Sequence, residues 1–281
     1  MKNISITNTP IKKLSNNQFV DTIDILAVEE PLEMRIEYYE NEILKHKSIS
    51  VTMRTPGNDF ELAIGFLFTE NIIVSYSNVE KICYVPGTDK NVVIITLQKD
   101  FMPNINKLDR NFYTTSSCGI CGKASINAIR VLYNNDFPST ACKLDFTVSA
   151  ELICSLPQKL RKNQNVFEQT GGLHACAFFT LEGNLIELKE DVGRHNALDK
   201  LIGAILINNN NNNIESMLLL SGRASFELIQ KAIIAGIKMV IAVGAPSSLA
   251  VELAEEFNIT LIGFLRGDKF NIYTGSQRIV I

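Results

Sequence analysis

Residues 217–264, MLLLSGRASFELIQKAIIAGIKMVIAVGAPSSLAVELAEEFNITLIGF, set the fold class. Three short apolar runs, Met217–Leu220, Met239–Val243 and Thr260–Phe264, have the length and branched-residue content of buried strands. Between them, Ser225–Ala235 and Ser247–Phe257 place apolar residues at helical spacing. Strand and helix alternating at this interval imply βαβ units, with a largely parallel sheet covered by helices. Working outward, His174–Thr180 and Leu185–Leu188 read as a hairpin around Gly183-Asn184, and a helix follows over about Asn196–Ile207. Asn208–Asn213 reads as a solvated loop.

The first part has another rhythm. Phe19–Ala27 and Leu32–Tyr38 alternate apolar and polar residues, as half-buried strands do, and Ile49–Arg54 continues the pattern. Thr55-Pro56-Gly57-Asn58 breaks it, and Asp59 is placed to cap a helix carrying Leu62, Ile64, Phe66 and Leu67. Lys81–Val85 and Val92–Leu97 are strand-like around Pro86-Gly87-Thr88-Asp89. Asn104–Ser117 is polar and turn-prone, Lys123–Tyr133 is helical in pattern, and a further helix starts at Ser149. Two units are therefore expected: residues 1–116, strand-rich, ending in a loop that leads to a CxxC pair, and residues 117–281, α/β/α.

With 281 residues, 46% of them hydrophobic and 20% charged, the chain can fill a core of ordinary composition. A net charge of −3 argues against broad nucleic-acid binding, which needs a basic surface to displace counterions from phosphates. Met1–Asn17 lacks a secretory apolar core, and Ala232–Ala254 is interrupted by Gly236, Lys238, Gly244 and Pro246, so no membrane span is expected. Six cysteines without export signals are expected to be reduced thiols, and a cytoplasmic location is the plain reading.

The chemistry centres on Ser117-Cys118-Gly119-Ile120-Cys121-Gly122. Two thiols three positions apart reach one atom or each other, and a helix start favours the thiolate, the form that attacks sulfur and binds metal. The spacing alone leaves structural thiols, half a metal site, and redox or sulfur chemistry open. His174 and Cys176, on one face of a strand, complete a conceivable four-ligand zinc site with the pair. A zinc nucleobase deaminase is excluded by chemistry: Cys176 stands where the H-x-E glutamate belongs, and the order is reversed. A thioredoxin-like oxidoreductase lacks its early βαβ pattern.

Ligand-binding candidates lie at the strand ends. Ser221-Gly222-Arg223-Ala224-Ser225 and Gly244-Ala245-Pro246-Ser247-Ser248 occupy equivalent strand-to-helix junctions, where open α/β sheets bind ligands. Arg223 offers a fork suited to phosphate. Phe264-Leu265-Arg266-Gly267-Asp268-Lys269 brings further charge to the same edge. Each loop also reads as an ordinary cap or turn. In Glu190–Asn196, Asp191 reads as an N-terminal helix residue, while Arg194 and His195 are either polar first-turn residues or contacts to an anion. Thr170-Gly171-Gly172 is a sharp turn or a close approach to ligand.

Ser117–Gly122, Thr170–Ala175, Glu190–Lys200 (EDVGRHNALDK), Ser221–Arg223, Gly244–Glu255 and Gly263–Asp268 together resemble the formate dehydrogenase accessory sulfurtransferase family, FdhD, over roughly Thr52–Tyr273. The resemblance implies a sulfurtransferase that takes persulfide sulfur from a cysteine desulfurase. It implies delivery to molybdenum or tungsten in the bis(molybdopterin guanine dinucleotide) cofactor that formate dehydrogenase needs. It further implies Cys118 as persulfide carrier with Cys121 assisting, Phe264–Lys269 as a guanine-dinucleotide-binding stretch, a homodimer, and a cytidine-deaminase-like C-terminal fold. Cys176 stands where the family leads us to expect a small residue. The rival reading is a chaperone that binds the cofactor without covalent sulfur transfer.

Overall fold

The structure is a computed structural model that describes residues 5–104, 146–208 and 216–281. The CxxC pair, the helix expected over Lys123–Tyr133, the boundary expected at 116/117 and most of the asparagine run lie outside these residues.

The three apolar runs form β10 (Ser216–Leu220), β11 (Met239–Ala242) and β12 (Thr260–Arg266). They are joined by helices α5 (Phe226–Ile234) and α6 (Ser248–Glu256), and both strand pairs are parallel. β8 (His174–Thr180) and β9 (Leu185–Asp191) make the expected hairpin, and β13 (Lys269–Thr274) completes a six-stranded sheet of order β13-β12-β11-β10-β8-β9. The sheet is mixed, which corrects the expectation of a largely parallel one. β8 runs antiparallel to both β9 and β10, and β13 antiparallel to β12. Tight turns allow only antiparallel neighbours, and only the helical crossovers return a strand in the same direction.

Alternation along the strands builds two apolar layers. Cys176, Phe178, Leu218, Leu220, Val240 and Leu261 face α4 (Arg194–Ile207), α5 and α6. Ala175, Ala177, Phe179, Leu219, Ile241 and Ile262 face α2 (Ala150–Arg161). The result is a three-layer α/β/α unit. Ser149 caps α2, its hydroxyl accepting from the Leu152 amide at 3.2 Å. Beside α2, the short strands β7 (Val148–Ser149) and β14 (Ile279–Val280) pair in parallel.

The N-terminal unit is a sheet of order β4-β3-β6-β5, from β3 (Glu30–Glu40), β4 (Ile43–Arg54), β5 (Val79–Tyr84) and β6 (Val92–Leu97). Helix α1 (Asp59–Thr69) covers one face, packing Leu62 and Leu67 against Met34, Ile36, Val93 and Ile95. Asp59 does not cap α1. Asn58 holds the cap position in the left-handed region, and the Asp59 carboxylate grips Arg54 instead, at 3.0 Å from Nε and 3.1 Å from Nη2, inside the protein. A separate hairpin, β1 (Ile6–Ser15) and β2 (Gln18–Ala27), turns at Asn16-Asn17, both with positive φ, as a two-residue hairpin loop requires. β1 was not visible as a strand in the sequence.

Helices α1 and α4 join the two units with their backbones in contact. A Cβ on Gly65 would lie 1.8 Å from the Asp199 carbonyl oxygen, and one on Gly203 would lie 1.9 Å from that of Glu61. Only glycine fits either position.

Candidate anion-binding edge

The strand directions gather the chemistry. β9, β10, β11 and β12 all point the same way and end at one edge of the sheet, where β8 begins. That edge therefore holds His174, Asp191–Asn196, Ser221–Ser225, Gly244–Ser247 and Phe264, together with the starts of α4, α5 and α6. Three helix N-termini, with Ser247 capping that of α6 through the Ala250 amide at 3.3 Å, make this the electropositive end of the helical layer.

The loops are sewn together through their backbones. The Ser221 amide donates to Ala175 O at 2.9 Å, and the Ser221 hydroxyl accepts from the Ala175 amide at 2.8 Å. Gly244 N donates to Gly222 O at 2.9 Å, Ser247 N to Ala224 O at 3.0 Å, and Phe264 N to Gly244 O at 3.1 Å. Gly222 leaves room for the His174 ring, whose Nδ1 would lie 3.3 Å from a Cβ there. Arg223 projects from this ribbon into solvent.

Arg194 and His195 open α4. The Arg194 Nε is buried without a hydrogen-bond partner, an arrangement that costs free energy until an acceptor arrives. His195 Nε2 lies 3.5 Å from Ser225 Oγ and 3.9 Å from Glu227 Oε2. Burial, with Lys231 and Arg194 adding positive charge nearby, lowers its pKa to about 4. Burial and then Arg194 lower that of His174. Both imidazoles are neutral at neutral pH, so the fixed positive charge at this edge comes from Arg194 and Arg223.

The Phe264–Lys269 stretch divides. Phe264 sits on the edge with a left-handed backbone (φ 54°), while Leu265 is buried against the α2 layer and offers no side chain to a ligand. Arg266 pairs with Lys269 across the Gly267-Asp268 turn, and these four residues are exposed. Asp268 lies on the α2 side, close enough to help raise the Cys154 pKa, although burial is the larger cause.

The EDVGRHNALDK segment also divides, in a way the sequence did not disclose. Asp191 ends β9 instead of opening the helix, and it is fully buried. Its carboxylate accepts from the amides of Thr55 (3.1 Å) and Gly193 (2.8 Å) and from Asn196 Nδ2 (3.1 Å), and it pairs with Lys200 Nζ at 2.7 Å. Lys200 also donates to Thr55 O and Asn196 to Met53 O, both at 2.8 Å, so this cluster ties β4 to the start of α4. Glu190 accepts from the amides of Val166 and Phe167, which open α3 (Asn165–Thr170). Gly171 ends α3 in the left-handed region (φ 64°), so Thr170-Gly171-Gly172 is a helix stop. Asp199 pairs with the buried Lys231 at 2.9 Å and accepts from Thr69 Oγ1 of α1 at 2.8 Å. Only Arg194 and His195 of the segment face the edge.

Cys176 is buried beneath α4, its sulfur 4.0 Å from Arg194 O, and burial pushes its pKa far above the usual thiol value. Such a thiol neither reacts nor binds metal readily. Among the described residues no group of three or more His, Cys, Asp or Glu is placed to hold a metal ion, and Cys83, Cys154 and Cys176 are free. Among them, too, no helix is long and apolar enough to cross a membrane.

Residues 27–280 match the model of the FdhD/NarQ family. This chain belongs to that family. Similar curated proteins include the sulfur carrier protein FdhD of Streptomyces coelicolor, 48% identical over 265 residues that cover 92% of this chain and 90% of that protein. The sulfur carrier protein FdhD of Sulfolobus acidocaldarius is 43% identical over 276 residues, covering 98% and 99%. A crystal structure of a proposed formate dehydrogenase accessory protein from Desulfotalea psychrophila superposes with a TM-score of 0.73 over 98% of this chain and 99% of that one. At 22% identity it shares the fold.

Proposed function

We propose that this chain is a sulfur carrier that loads sulfur onto the pterin-dinucleotide cofactor of formate dehydrogenase. Cys118 thiolate attacks the outer sulfur of a cysteine desulfurase persulfide; the donor S–S bond breaks, the donor leaves as thiolate, and the persulfide now sits on Cys118. No net oxidant is consumed. Cys121 assists or shares the load. The Cys118 S–S bond then breaks, Cys118 leaves as thiolate, and the terminal sulfur becomes a sulfido ligand on the molybdenum or tungsten of the bis(molybdopterin guanine dinucleotide), which is substrate here and, in its reduced form, supplies the two electrons.

The observation that supports this reading is the convergence of Arg194, Arg223 and three helix N-termini on one sewn edge. It suits a diphosphate, while the neutral His174 and His195 add hydrogen bonding without further charge. Phe264 lies on that edge, and the exposed Arg266–Lys269 turn beside it supports contact with the nucleotide end of the cofactor. The donor desulfurase, the recipient dehydrogenase, a cytoplasmic setting and a homodimer belong to the same reading.

The test is direct. Incubation with a cysteine desulfurase and cysteine should add sulfur to Cys118 or Cys121, read by mass spectrometry of tryptic peptides. The Cys118→Ala/Cys121→Ala variant should fold and melt like the parent and fail to activate formate dehydrogenase. Activation by that variant would overturn covalent transfer and leave cofactor chaperoning.

A further inference from the structure

β9 is the outermost strand of the six-stranded sheet, and among the described residues no strand pairs with its outer side. Residues of an antiparallel edge turn their amides and carbonyls alternately toward the neighbouring strand and away from it. The Leu188 amide turns away, donating to the Glu187 carboxylate at 3.2 Å, and Glu190, two positions on, turns the same way. Both residues line a cleft of about 420 Å³ that separates β9 and α3 from the turn at residues 55–58. None of its lining residues belongs to the anion-binding edge.

The cleft holds donors that lack an acceptor. Lys200 lines it, almost fully buried, and an ammonium has three N–H bonds to donate. Two are spent, on Asp191 Oδ2 at 2.7 Å and Thr55 O at 2.8 Å. Next to the lining residue Asn163, the buried Gln164 Nε2 has no hydrogen-bond partner. Such donors cost free energy until an acceptor arrives. The fitting acceptor is uncharged. Asp191 already balances Lys200, Lys189 balances Glu187 at 3.4 Å, and the Glu190 carboxylate is left over. This wall repels an anion and favours a cation.

We propose that this cleft takes an extended, lysine- or arginine-bearing peptide of a partner protein as an added strand on β9. A peptide is the ligand that offers neutral carbonyls and N–H groups at strand spacing, and main-chain pairing with an open edge is an established mode of peptide capture. Its carbonyls meet the Leu188 amide and the unspent Lys200 N–H, and an apolar side chain lies against Pro56, Val166 and Leu185. Glu187 guards the Leu188 amide in the free protein. Once a carbonyl takes that amide over, the carboxylate is released to pair with the cationic side chain.

Calorimetry and hydrogen exchange on the full-length chain test this with the peptide acetyl-Val-Leu-Lys-Val-Thr-amide. It should bind and slow amide exchange in Leu185–Asp191. Glutamate in place of the peptide's lysine and, separately, Glu187→Lys in the protein should each weaken binding about fivefold, the upper value for a part-exposed ion pair. Methylation of alternate peptide amides should abolish it. The altered peptides are read on the parent protein, so the result does not hang on the folding of a variant. No heat and no slowed exchange at millimolar lysine peptide overturns the proposal. Equal binding of the glutamate or the N-methylated peptide overturns it too. Guanosine diphosphate should not displace the peptide, and Arg194→Ala/Arg223→Ala should bind it as the parent does; competition or loss there would move the peptide to the anion-binding edge and overturn this site. Persulfide loading of Cys118 and Cys121 is read separately, so the cleft and the sulfur-transfer reading fail independently.

Discussion

At Asp191 one buried carboxylate satisfies donors from three segments: the turn after β4, the loop before α4, and α4 itself. Asp191→Ala leaves Lys200 charged and unpaired in the interior, which should cost about 3–5 kcal/mol in urea unfolding. Replacing both partners, as in Asp191→Leu/Lys200→Met, should cost clearly less than that, because no orphan charge remains. His195 carries a pH prediction. Its native pKa of about 4 lies below the ordinary 6.5, so between these values the unfolded chain binds more protons than the folded one. Its contribution to stability is complete above about pH 6.5 and is lost as the pH falls toward 4. His195→Gln should therefore show a flatter fall of melting temperature across that window than the parent; parallel curves would refute it. Of these residues the sequence singled out Asp191 and His195 but assigned only part of their work. The family resemblance marks EDVGRHNALDK as specific, yet it does not say which positions turn inward once β9 ends. Arg194 and His195 were legible as residues near a helix start, and their place at the sheet edge follows from where β9 ends.

The helix crossing offers the sharpest test among the elements. Gly203→Ala puts a methyl group into the Glu61 carbonyl of α1, a contact that only backbone movement relieves. The cost should be about 3 kcal/mol, at or above the upper end for overpacking, read as a lowered urea midpoint with unchanged slope. Most elements were legible. The β10-α5-β11-α6-β12 run buries nearly everything it has, and buried strands and amphipathic helices carry strong periodic signals. β1 was missed for the opposite reason. Its side chains meet no core, so ITNTPIKKLS carries no clean alternation, and Asn16-Asn17 was the one signal of a hairpin. The antiparallel pairings of β8 with β10 and of β13 with β12 were hidden because pairing direction depends on which strands become adjacent, and local periodicity does not encode that.

For the whole molecule, an overall charge of −3 coexists with a positive sheet edge, so the anion binding proposed above would be local and depend on few side chains. Guanosine diphosphate at a hundred times its dissociation constant should stabilise the protein by about 2.7 kcal/mol, seen as a higher melting temperature. Arg194→Ala/Arg223→Ala should remove most of that shift while leaving the ligand-free transition near its original place. A full shift in the variant would move the diphosphate elsewhere, with Arg266 and Lys269 the next residues to substitute. The layered α/β architecture was readable from the strand and helix alternation, but the link to formate dehydrogenase was not. That link came from the family resemblance, since no local pattern of thiols and arginines encodes the identity of a cargo.

The contact of α1 with α4 bears on the sulfur transfer proposed above. Where two helix backbones touch at Gly65 and Gly203, no cushion of side chains remains to let one half swing about the other. Among the described residues, jaws that close about the α1–α4 contact, one means of bringing donor and acceptor groups together, are not built in. On the function proposed above, donor and acceptor therefore meet a body whose two units do not hinge at that contact.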